Sequence, residues 1–119
     1  MSKAAKSLFY FGVYHVILGI ILVVVPNLLL TLLALPMTTE VWIRVVGMLV
    51  LLLGYYYIQA ARKELTAFFQ WTIYSRLSVI VFFIAFVAFG FVKPIIILFG
   101  VIDLLGAAWT GLTLRSSGN

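Results

Sequence analysis

The run GVIDLLGA, residues 100–107, carries one carboxylate, Asp103, in the middle of an apolar stretch long enough to cross a bilayer. A charge at the centre of such a span costs ~2.5–3.5 kcal/mol on insertion scales, so Asp103 requires a partner or a proton. The chemistry open to it is a proton or cation site, general acid–base work, or a structural hydrogen-bonded pair. Three further ionisable residues stand inside apolar runs: His15, Arg44 and Arg76. His15 offers a proton relay, a ligand or a hydrogen-bonding core residue. No HxxxH, HxxH or ExxH spacing supplies a second ligand, so neither a metal nor any other cofactor is expected.

Arg44 lies about one turn inside its span, after Glu40 and Trp42. Helical side chains lean toward the helix N-terminus, so its guanidinium reaches back to water beside Glu40. The functional alternative is an inward pair with Asp103 or anion binding in an outer pocket. Arg76 joins Gln59, Arg62 and Gln70 in a polar inner mouth. That mouth is either a solvated interfacial girdle or a place for a lipid headgroup, an acidic partner or a substrate end. The chain has no histidine box, phosphate-binding glycine loop or Gly-x-Ser-x-Gly elbow, and no residue is assigned a catalytic role.

The elements that position these groups follow from composition. Hydrophobic residues make up 66% of the chain and charged residues 9%, against ~25% charged in a soluble domain. There is too little polar surface to cover a water-soluble globule. The absence of cysteine excludes disulfides and thiol chemistry. The net charge of +5 is dispersed between membrane-length apolar runs, which reads as a topology signal and not as a nucleic-acid surface.

Four spans are expected, at about 5–25, 40–61, 67–91 and 95–114, giving a single-domain, all-α, four-transmembrane-helix bundle with short loops. The first is too long for the apolar core of a cleavable signal and reads as a retained span. NLLLTLLALPMTT, after Pro26, is too short to cross and reads as an interfacial or re-entrant helix. Lys3, Lys6, Arg62, Lys63, Arg76 and Arg115 fall on one side of the membrane; Arg44 and Lys93 fall on the other. The positive-inside rule places both termini in the cytoplasm.

In lipid, small residues mark where helix backbones approach. Gly12 and Gly19 flank His15 on one stripe of the first span; Gly47 and Gly54 mark the second. Gly100, Ala107 and Gly111 share a face with Asp103 in the fourth, and Arg76 lies on a stripe of the third. Asp103 and His15 both lie near mid-span, at depths that allow them to meet.

Trp42-x-Arg44-x-x-Gly47, then Leu53-Gly54-Tyr55, then Ala60-Ala61-Arg62, with Arg76 after a short connection, resembles small bacterial four-helix membrane proteins of the DoxX-like group. The resemblance covers residues 41–80 and implies the four-helix fold. It brings no catalytic residue with it. The chain is also similar in size and span count to small multidrug-resistance transporters, but their first-span glutamate has no counterpart here.

The expected function is an interaction or accessory subunit without catalytic activity, contacting membrane lipids and either further copies of itself or another membrane protein. The alternatives are an oligomeric proton- or cation-coupled transporter or channel using Asp103 and His15, and a binder or modifier of a hydrophobic ligand such as a lipid, isoprenoid or quinone.

Overall fold

The computed structural model describes residues 1–116; the chain end that follows the fourth span, residues 117–119, lies outside the described residues. It is all-α, 83% helical, with no strand among the described residues. Five helices run in the order α1 (Lys3–Val24), α2 (Pro26–Leu32), α3 (Trp42–Arg62), α4 (Thr66–Ala88) and α5 (Ile97–Ser116), the last preceded by a 3-10 turn at Pro94–Ile96. Four of them, all but α2, are long and apolar enough to cross a membrane. The chain is an integral membrane protein by that criterion.

Local chemistry sets the boundaries. Ser2 caps α1: its Oγ accepts the Ala5 amide at 3.0 Å, satisfying one of the orphan donors of the first turn. Pro26 has no N–H to extend α1 and begins α2 instead. Three helices end in the same Schellman arrangement, in which a residue in the left-handed region follows the last turn. These residues are Ala34, Glu64 and Gly90, with φ of 57, 53 and 77°. The paired bonds are Leu35 N to Leu30 O and Ala34 N to Thr31 O; Leu65 N to Ala60 O and Glu64 N to Ala61 O; and Phe91 N to Phe86 O and Gly90 N to Val87 O.

At Gly90 the cap closes α4 at Ala88, three residues short of the limit read from hydropathy. The apolar pattern runs through Phe89 and Phe91, but the left-handed glycine turns the backbone out of the helix between them. Lys93 is then extended, as a residue before proline prefers, and Pro94 opens the next turn.

The chain divides into two compact units, Met1–Leu8 with Ala60–Asn119, and Phe9–Gln59. In the first, α4 packs along α5, and the buried residues include Ala4, Ala5, Leu8, Ala60, Ala61, Phe69, Ala107 and Leu114. In the second, the buried side chains include Phe11, His15, Leu22, Pro26 and Tyr57.

Candidate intramembrane polar sites

In the Phe9–Gln59 unit, α1 and α3 meet through glycines. A Cβ built on Gly12 would lie 3.0 Å from the Gly54 carbonyl oxygen, and one on Gly19 would lie 2.7 Å from that of Gly47. Rising numbers on α1 pair with falling numbers on α3, so the two segments run antiparallel, with backbone on backbone at both levels. His15 sits between those levels. Its Nδ1 is 3.0 Å from the Phe11 carbonyl oxygen, an acceptor only, so Nδ1 carries the proton of this bond. The imidazole packs against Phe11, Tyr57 and Tyr14, with ring centroids 4.6, 5.2 and 5.4 Å away. Its setting is an aromatic cluster.

Arg44 belongs to the same unit and does not turn toward Glu40. Its Nη1 donates to the carbonyl oxygens of Val23 and, at 3.3 Å, Val24. Those carbonyls end α1, where the last turn has no intrahelical donors and the helix dipole is negative. The guanidinium therefore caps a helix other than its own. Nearby, the Asn27 amide holds the connecting segment at two points: Nδ2 donates to Thr38 O at 3.0 Å and Oδ1 accepts Thr38 N at 2.9 Å.

The other unit buries Arg76. Only 2% of this residue is exposed, so it is not a member of a solvated girdle. Nε donates to Thr72 O at 3.2 Å, and Nη2 donates to the hydroxyls of Thr72 at 3.1 Å and Thr110 at 2.9 Å. Thr110 Oγ1 lies 2.7 Å from Ser7 Oγ. Ser7 spends its own proton on Ala4 O, also at 2.7 Å, so Thr110 is the donor between the two hydroxyls. One directional chain of bonds results, Arg76 to Thr110 to Ser7 to Ala4 O, tying α4, α5 and the start of α1 together.

Of the residues grouped with Arg76 from sequence, Gln59 is half-buried, and Arg62 and Gln70 are exposed. The partners that sequence reasoning missed are Ser7 and Thr110. A signal was present: Thr110 lies three residues after Ala107 and seven after Asp103, on the same face of α5, and small hydroxyl residues are common where membrane helices meet.

Asp103 is half-buried in the same unit, within the field of Arg76. It lies two turns, about 10 Å, along α5 from Thr110. Gly100, one turn before it, brings α5 against α4, since a Cβ there would be 3.1 Å from Ile80 Cα; Gly111 leaves open space, its nearest neighbour being Ile73 Cδ1 at 3.8 Å. Outside the spans, the Glu64 carboxylate accepts the Ser2 amide at 2.6 Å and the Ser2 hydroxyl at 2.8 Å. Those two bonds, the amide first, hold its pKa below the ordinary carboxylate value.

Comparison with protein-family models, with curated proteins and with solved structures gives no match to this chain.

Proposed function

We propose that the chain is a non-catalytic interaction subunit of the bacterial inner membrane, with both termini cytoplasmic, working in contact with further copies of itself or with another membrane protein. The observation that carries this reading is the half-buried state of Asp103 in the middle of α5. A carboxylate facing acyl chains at that depth costs a few kcal/mol, and a second polypeptide that covers it removes the cost. Two further features support the reading. The other interior ionisable groups, His15 and Arg76, hold hydrogen bonds of a structural kind. The buried residues of α4, Phe69, Thr72 and Arg76, all lie in its first half, which leaves Val81, Phe82, Ile84 and Phe86 of the second half exposed. Kinship with the DoxX-like group is part of the same proposal and rests on the residues from Trp42 to Arg76 named above.

The cysteine-free sequence makes the test direct. Phe99→Cys and Gly106→Cys flank Asp103 on its own face of α5, and Leu105→Cys points nearly the opposite way. Mild oxidation or a short bifunctional thiol reagent in native membranes should trap a covalent dimer or hetero-adduct at the first two positions and not at the third. Equal labelling of all three with no adduct would remove the support for a covered Asp103.

The same carboxylate favours a second reading, a proton- or cation-coupled transporter assembled around Asp103. Proton-coupled flux into liposomes should then be present in the wild type and lost in Asp103→Asn. Identical flux in the two would end this reading while leaving the first intact.

A further inference from the structure

The unit formed by residues 1–8 and 60–119 gathers basic residues at one end. The Ser2–Glu64 bonds hold the start of α1 beside the turn between α3 and α4. The Ser7–Thr110 bond holds the closing turns of α5 beside the first turns of α1. Lys3, Lys6, Arg62, Lys63 and Arg115 therefore share that end, and the carboxylate among them, Glu64, already accepts two hydrogen bonds.

A groove leads from this end along α4 and α5. Its first part, about 290 Å³, is lined by Gln70, Ile73, Tyr74, Gly111, Leu114 and Arg115. A second hollow of about 340 Å³ shares Ile73, Gly111 and Arg115 with it and continues past Leu77, Ala107 and Leu112. Gly111 keeps the floor low, because a Cβ there would come no nearer than 3.8 Å to its closest neighbour. The two hollows together follow the helices for about 10–12 Å. An amide, a phenol and a guanidinium stand at the basic end; beyond them the lining is aliphatic.

We propose that this groove binds an anionic glycerophospholipid, with its phosphate on Arg115 and one acyl chain laid over Gly111 between Ile73, Leu77 and Ala107. The match is of charge at one end and of apolar length along the rest. Basic recesses between membrane helices hold anionic headgroups in this way. The site uses residues of one unit only and does not depend on the accessory-subunit reading. A diffuse attraction of the basic end to an anionic leaflet would weight all five cations alike, whereas a seated lipid weights Arg115, which lines the groove.

The test is native mass spectrometry of the full chain in mild detergent, titrated with phosphatidylglycerol and phosphatidylcholine of the same acyl chains. The wild type should prefer phosphatidylglycerol about fivefold, the factor that one basic residue near a headgroup supplies. Arg115→Gln should abolish the preference and Arg62→Gln should keep it. Gly111→Leu, which fills the floor, should weaken both lipids together, with circular dichroism confirming that the variant is folded. Millimolar inorganic phosphate should displace neither lipid. Equal binding of the two lipids by the wild type, equal effects of Arg62→Gln and Arg115→Gln, or displacement by free phosphate would each overturn the proposal. Should Gly111→Leu fail to fold, the arginine pair decides it alone.

Discussion

Thr110→Val tests the buried chain of bonds with the least disturbance, because valine replaces the hydroxyl by a methyl of similar shape. Two bonds are removed. The first is the charge-assisted one from Arg76 Nη2 at 2.9 Å; such bonds contribute about 1.5–3 kcal/mol where the reference is water. The second is the neutral bond to Ser7 at 2.7 Å; neutral bonds between membrane helices average about 0.6 kcal/mol. Arg76 Nη2 retains Thr72 Oγ1, and Ser7 retains Ala4 O, so neither group loses all its partners. The lower limit of the first contribution and the average of the second give an expected loss of about 2 kcal/mol. Ser7→Ala should cost only about 0.6 kcal/mol. Arg76→Met removes the guanidinium together with its desolvation cost and should lie within about 1 kcal/mol of wild type. In that background Thr110→Val should fall to the neutral value. The assay is reversible unfolding in mixed micelles by SDS titration, followed by circular dichroism, for the four corners of the Arg76–Thr110 cycle. A Thr110→Val cost unchanged by Arg76→Met would refute the reasoning, since the charge would then have no part in the bond.

Three further outcomes use the same measurement. Gly19→Ala places a Cβ 2.6 Å from Leu51 N and 2.7 Å from Gly47 O, backbone atoms that cannot step aside, and should destabilise by at least the ~1–3 kcal/mol of ordinary overpacking; Gly111→Ala, with 3.8 Å of room, should be neutral or gain up to ~1 kcal/mol of helix propensity. Arg44→Gln should cost about 1 kcal/mol through lost capping of Val23 and Val24, and Glu40→Gln should cost nothing measurable; the reverse order would show that Arg44 serves Glu40 instead. For Glu64 the folded pKa is lowered, so its bonds to Ser2 contribute stability above the ordinary carboxylate value of 4.5 and lose it as pH falls through the folded value. Unfolding midpoints should therefore drop on acidification in the wild type more than in Glu64→Gln, and parallel profiles would count against the Ser2 clamp.

Several features could be read directly from residue order. Apolar runs of membrane length dictate the helices, because a backbone in lipid must satisfy its hydrogen bonds within the segment. Pro26 and Pro94 punctuate them by removing donors. Glycines seven residues apart on α1 and on α3 mark a single face of each helix, and at those levels the two backbones meet. The end of α4 was less legible, since hydropathy continues through Phe89 and Phe91 while a positive φ at Gly90 decides the stop.

What composition and spacing alone determined was the solvent of this protein, the number of its long helices and the faces on which small residues lie. Which polar group serves which purpose was left to tertiary structure. Arg44 and Arg76 look alike in sequence, each an arginine set into an apolar run. One reaches across to the open carbonyls of α1, and the other is enclosed by Thr72 and Thr110. The difference depends on which backbone carbonyls and hydroxyls arrive from distant parts of the chain, and a long side chain takes whichever acceptor lies within reach. Periodicity along one helix carries no record of that.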